Sequence, residues 1–117
     1  ENKLAVLNLI GRTNLPALAG VLSMARALVS NDSGALHLGA ALGLPVTAIF
    51  GPTDERRTGP HNVSIEGFTS QSSGPAAATL TTQVWCRPCM LRECPIDHRC
   101  MRRISVDAVL EATKRML

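Results

Sequence analysis

Aromatic side chains are nearly missing from this 117-residue chain, which has no tyrosine, one tryptophan and two phenylalanines. Proteins that hold single-stranded nucleic acid stack bases on aromatic rings, and here only Trp85 lies beside the arginine-rich segment, so a nucleic-acid partner is not expected. Charge of one sign is also in short supply. The formal net charge is only +3, which implies no general attraction to polyanions. No run is long and apolar enough to cross a membrane, and the apolar start has neither a basic leader nor a cleavage pattern, so a cytoplasmic location is the default expectation. No internal repeat is evident. At this length the chain forms one domain at most, large enough for a core but short of two domains.

What is abundant is small and aliphatic. Hydrophobic residues make up 45% of the chain and glycines number 9, a composition suited to helices packed closely on a sheet. Leu4 to Ile10 is a short apolar run ended by Gly11 and reads as a buried strand. Asn14 then offers an N-cap, Pro16 fits the first turn, and Leu15, Leu18, Leu22 and Ala25 recur at helical spacing up to about Arg26. Ala27 to Ser30 reads as a strand, Ala35 to Leu42 as a helix closed by Gly43, and Val46 to Phe50 as a third strand after Pro45. This β-α-β-α-β order calls for parallel strands with right-handed crossovers and a ligand at their carboxyl ends. Val63 to Ile65 reads as a further short strand. Residues 67–82, rich in Ser, Thr, Gly, Ala and Gln and without charge, read as a flexible surface loop. Ser105 to Leu117 reads as a terminal helix capped by Ser105.

The segment with the clearest chemistry is Asn31-Asp32-Ser33-Gly34-Ala35-Leu36-His37, at the junction of strand and helix. Helix starts leave backbone N–H groups without partners and carry partial positive charge, so phosphate is a natural occupant. Ser33 adds a hydroxyl donor, Gly34 lets a ligand approach the backbone, and His37 lies one turn further along. Asp32 beside an anion would repel it unless the carboxylate were committed to other groups, so its expected task is orientation; an ordinary N-cap is the plainer alternative. Gly51-Pro52-Thr53-Asp54 is a turn by its own chemistry, and both loops leave strand ends that should share one crevice.

The order Asp32-Ser33-Gly34-x-x-His37, then Ala40-Ala41-Leu42-Gly43-x-Pro45, then Phe50-Gly51-Pro52-Thr53, resembles the C-terminal domain of the lipopolysaccharide heptosyltransferases, glycosyltransferase family nine. Thr58-Gly59-Pro60 and the cysteine segment from Cys86 to Met101 extend the likeness toward heptosyltransferase II-like members. The resemblance implies an α/β Rossmann-like parallel sheet, the C-terminal portion of a GT-B-type transferase, with residues 1–117 as a single partial domain that binds the nucleotide-sugar donor. It implies ADP-heptose as donor and inverting transfer to the lipopolysaccharide core, met through an N-terminal domain that also supplies the acceptor-activating Asp. It places the enzyme in the cytoplasm at the inner face of the inner membrane, with peripheral membrane contact. By the same resemblance Asp32 contacts the donor sugar, Ser33 and Gly34 hold the diphosphate, His37 reaches the sugar-phosphate region, the backbone of Thr13 lines the adenine pocket, and Thr53 touches the ligand, with Thr58 and Gly59 as lesser contacts. No catalytic residue is expected within this chain, which by itself is expected to be inactive, and no cofactor is required. Glu55 stands where the family commonly has Pro.

Cys86, Cys89, Cys94 and Cys100, within the Cys-rich segment 86–100 and with His98 between the last two, supply enough soft ligands for a structural zinc. Reduced buried thiols and disulfides compete with that reading. The cysteines also support a second function, a zinc-stapled α/β interaction module without catalytic activity. Arg87, Arg92, Arg99, Arg102 and Arg103 read as solvated loop arginines pairing with Glu93 and Asp97, with acidic acceptor groups or membrane phosphates as the alternative partners.

Overall fold

Asn14 starts the first helix as its side chain allows: Oδ1 accepts the Ala17 amide at 3.0 Å, and Pro16 sits in the first turn, where no intrahelical N–H is needed. In this computed structural model, which describes residues 4–60, 64–65 and 76–117, helix α1 spans Leu15–Ser23. It ends about three residues before the position its spacing suggested. Strand β1 (Leu28–Asn31) follows, then helix α2 (Gly34–Ala41) and strand β2 (Val46–Ile49). Gly43, at φ +82°, makes the left-handed turn that closes α2 and returns the chain to the sheet.

Beyond β2 come helix α3 (Glu55–Thr58), strands β3 (Ser64–Ile65) and β4 (Ala76–Leu80), helix α4 (Arg99–Arg102) and helix α5 (Val106–Lys114). The sheet has four strands in the order β1-β2-β4-β3, and every pairing is parallel. The α/β, Rossmann-like expectation is therefore met. Val46 lies opposite Leu28 on one side and Ala77 on the other, so β2 is interior to the sheet.

Side chains alternate across β2, and the two faces have different covers. Val46 and Ala48, with Phe50 just beyond the strand, pack with Leu36, Ala40 and Leu22 of the helices α2 and α1. Thr47 points the other way. Its fully buried hydroxyl lies 2.8 Å from that of Thr113 on α5. Thr113 Oγ1 also donates to Val109 O at 2.8 Å, so the proton at the Thr47–Thr113 contact belongs to Thr47. Ser105 caps α5 by accepting from Ala108 N at 3.1 Å, as expected. Val106 and Leu110 leave part of its apolar surface exposed, as does Leu117 just beyond it.

Two expectations are corrected. Leu4 to Ile10 forms no strand: β1 is an edge strand of the sheet, no described strand pairs with the segment, and Leu4 and Ile10 are each 89% exposed. An apolar run becomes a strand only where a neighbour takes its N–H and C=O groups. The second correction concerns the loop assigned to 67–82. Its part Ala76–Leu80 is β4, sandwiched between β2 and β3, with Ala77 and Ala78 buried. Alanine is a weak strand former, but packing on both faces overrides that preference and favours small side chains there. Residues 67–75 lie outside the described residues, as does Val63.

Candidate donor-binding site

The carboxyl ends of β1 and β2 carry the loops that hold the chemistry. Asp32 follows β1 directly, and its amide donates to Ile49 O at 3.2 Å, tying the first loop to the end of β2. Ser33 is the N-cap residue of α2, in extended conformation, so Asp32 is not the cap. The Ser33 side chain makes no capping hydrogen bond; its hydroxyl lies 3.1 Å from that of Ser30. The first-turn amides of α2 are thus not closed off by a side chain, and an anion is the natural partner for them.

Asp32 is committed to neighbouring side chains. Thr58 Oγ1 donates to Oδ2 at 2.7 Å, while His37 Nε2 stands 4.0 Å from Oδ1. The carboxylate is 16% exposed and the imidazole 45%, so the pair has a half-buried member and one open to solvent. Charge that would otherwise repel a phosphate is directed toward a hydroxyl and an imidazole. Thr58, only a lesser contact by sequence, becomes part of the group because α3 carries it there. Asp54 caps that helix by accepting from Arg56 N at 3.0 Å, a role its place after Pro52-Thr53 had left unread.

The 51–55 loop is held from the cysteine segment. Arg87 Nε donates to Gly51 O at 2.8 Å, and its terminal nitrogen donates to Thr53 O at 3.0 Å and to the Glu55 carboxylate at 2.5 Å. With a side chain only 10% exposed, Arg87 is not the solvated loop arginine the sequence suggested. Burial is the largest single influence on Glu55 and raises its pKa. The hydrogen bond from Arg87, a backbone hydrogen bond and the charges of Arg87 and Arg56 outweigh it, and the carboxyl is held below the ordinary glutamate value. Arg99 does pair with Asp97, at 2.9 Å, as expected.

Met90 N donates to Pro52 O at 2.9 Å, and a Cβ on Gly51 would run into Met101. The cysteine segment therefore lies directly against the Gly51-Pro52 turn. Cys86, Cys89, Cys94 and Cys100 are all free thiols and line one cavity of about 60 Å³ together with His98. Among the described residues no three His, Cys, Asp or Glu side chains are arranged as a set that could hold a metal ion. Backbone N–H groups of Ile96 and then His98 point at the Cys94 sulfur and hold its thiol below the ordinary range.

Thr53 and Thr13 are placed differently from the Asp32 group. The Thr53 hydroxyl is buried without a hydrogen-bond partner among the described residues. Thr13 is half-buried and lines an open recess of about 600 Å³ with Val6, Leu7, Ile10, Leu18 and Val21, none of which belongs to the Asp32 group. Among the described residues no helix is long and apolar enough to cross a membrane.

A parallel α/β sheet with a Thr-Asp-His group at its carboxyl edge defines a Rossmann-like fold. The family model of glycosyltransferase family 9, the heptosyltransferases, matches residues 1–97, and the chain belongs to that family. It is 30% identical to lipooligosaccharide heptosyltransferase 2 of Campylobacter jejuni over an alignment of 118 positions that covers all of this chain and 34% of that relative. With lipopolysaccharide heptosyltransferase 2 of Escherichia coli it shares 40% identity over 60% of this chain and 22% of the relative. With lipopolysaccharide heptosyltransferase 1 of Pseudomonas aeruginosa it shares 36% over 71% of this chain and 20% of the relative. The chain thus spans about a third of the length of the Campylobacter relative. No solved structure matches it significantly.

Proposed function

We propose that this chain forms the donor-binding portion of a heptosyltransferase that takes ADP-heptose and transfers the sugar, with inversion, to the inner core of lipopolysaccharide. The observation that carries this reading is the meeting of Thr58, Asp32 and His37 beside the uncapped start of α2, with Thr58 Oγ1 2.7 Å from the Asp32 carboxylate. Family membership supplies the reaction class.

In this reading the α2 amides, the Ser33 hydroxyl and the close backbone approach at Gly34 hold the diphosphate. Asp32, fixed by Thr58, orients the sugar, and Thr53 is the further candidate contact on the neighbouring loop, whereas Thr13 lines the separate recess. As the glycosidic bond breaks, negative charge grows on the departing diphosphate. In this reading the helix-start amides and the His37 imidazole stabilise that charge, the kind of preorganised stabilisation that lowers a transition-state barrier. His37 does this as a cation, or when neutral by donating one hydrogen bond. The base that activates the acceptor, and the acceptor contacts themselves, belong to a separate N-terminal domain, so the chain alone binds donor without turning it over. The whole enzyme works at the inner face of the inner membrane, where its acceptor is made, and needs no cofactor for the transfer. The thiol-lined cavity favours the cysteines as a structural element of this half, with zinc as the occupant to test by metal analysis of the purified chain.

Calorimetric titration with ADP and UDP tests the reading. ADP is expected to bind more tightly, with Ser33→Ala and His37→Ala each weakening it by about three- to thirtyfold, the span of one to two lost hydrogen bonds. Equal affinity for both nucleotides, or no effect of either substitution, contradicts it.

A further inference from the structure

We propose that Arg87 is a positioning residue of the donor site: it builds the 51–58 segment into the conformation in which Thr58 reaches Asp32. The functional half of this inference rests on the donor-site reading above; the structural half does not.

One guanidinium meets three acceptors on a segment more than thirty residues away in the chain: Gly51 O at 2.8 Å, Thr53 O at 3.0 Å and the Glu55 carboxylate at 2.5 Å. A planar fork with fixed donors can satisfy such a set, and a lysine ammonium cannot span it. The three acceptors bracket the turn that precedes α3. Glu55 is the first residue of α3 and Thr58 its last, so a guanidinium holding the Gly51 and Thr53 carbonyls and the Glu55 side chain sets where that helix starts and therefore where Thr58 ends. Thr58 in turn gives its proton to Asp32 at 2.7 Å. The chain of contacts from Arg87 to Asp32 is continuous through hydrogen bonds and one short helix.

The same geometry explains Glu55 in place of the Pro that the resemblance led one to expect. A proline there would supply a fixed backbone but no carboxylate. Glu55 instead fixes the loop through a side chain that Arg87 can grip, and the pair is shielded enough, with Arg87 10% and Glu55 30% exposed, for the contact to resist water. Met90 N on Pro52 O, at 2.9 Å, adds a second attachment from the same segment and keeps Arg87 close to its acceptors.

The test uses the full chain and four proteins: wild type, Arg87→Ala, Arg87→Lys and Glu55→Gln. Amide exchange and chemical shifts of residues 51–58 and Asp32 are recorded by NMR, and ADP affinity is measured on the same samples. Arg87→Ala is expected to raise exchange across 51–58, shift the Asp32 and Thr58 signals, leave the strand β2 amides unchanged, and weaken ADP binding about tenfold. Lysine should recover part of the affinity through Glu55 but not the protection of the Gly51–Thr53 turn, and Glu55→Gln should fall between wild type and alanine. If the alanine variant fails to fold, Arg87→Lys and Glu55→Gln decide the matter by the same readings. Should the wild type not bind ADP, the donor reading fails, and the positioning role is then judged by loop protection alone. Unchanged protection of 51–58 in the substituted proteins, or unchanged ADP affinity where the wild type binds, overturns the inference.

Discussion

Gly51 shows how tightly the residues around the site are constrained. A methyl group there meets the Met101 side chain and approaches Cys100 Sγ at 3.5 Å, so Gly51→Ala forces the Met101 side chain to move. The expected loss is about 1–3 kcal/mol, the usual penalty for overpacking, seen as a lower urea midpoint with an unchanged slope. The Arg87–Glu55 pair should respond to acid. Because the folded carboxyl titrates below its unfolded value, the stabilisation is fully present above the unfolded glutamate pKa and disappears as pH falls through the lower folded value. The Glu55 side-chain carboxyl carbon should therefore report a transition on the acid side of the ordinary glutamate range, followed by the Arg87 Nε–H signal. Asp32, Ser33 and His37 were legible in the sequence because spacing at a strand-to-helix junction is local information. Arg87 was not, since its acceptors lie more than thirty residues away and nothing local separates a buried arginine from its solvated neighbours.

At the scale of elements, the two hydroxyls between β2 and α5 make an asymmetric prediction. Thr47 donates to Thr113, and Thr113 donates to Val109 O. Thr113→Val leaves the fully buried Thr47 proton unpartnered and should cost about 1–3 kcal/mol. Thr47→Val leaves Thr113 with its backbone acceptor and should cost less, and the double substitution should cost less than the sum of the singles. Thermal or urea unfolding of the three variants reads this directly. The caps are plainer: Asn14→Ala and Ser105→Ala should each lower stability by about 0.5–2 kcal/mol, because each accepts a first-turn amide. Both caps were legible from residue type and position alone. Strand β4 was not, because its Ala-Ala-Ala-Thr-Leu run has no alternation and a single β-branched residue, and only the neighbours β2 and β3 make it a strand. Leu4 to Ile10 failed in the opposite sense, having the right composition but no neighbour among the described strands.

For the whole molecule, the parallel order of the sheet matters more than any single pairing. It brings the ends of β1 and β2 to one edge, where the Asp32 loop and the α3 loop meet, and it leaves the 4–13 segment around a separate recess. That architecture followed from the alternation of strand and helix signals, although the number of strands and their order did not. In the proposed reading a nucleoside diphosphate sits at the start of α2. Mapping ADP-induced amide shifts on the folded chain tests it most directly. The largest shifts should fall on residues 32–37, extend to Thr53 and Thr58, and saturate with ADP at concentrations where UDP produces little change. Shifts confined to the recess around Val6, Leu18 and Val21, or spread evenly over the surface, would contradict it.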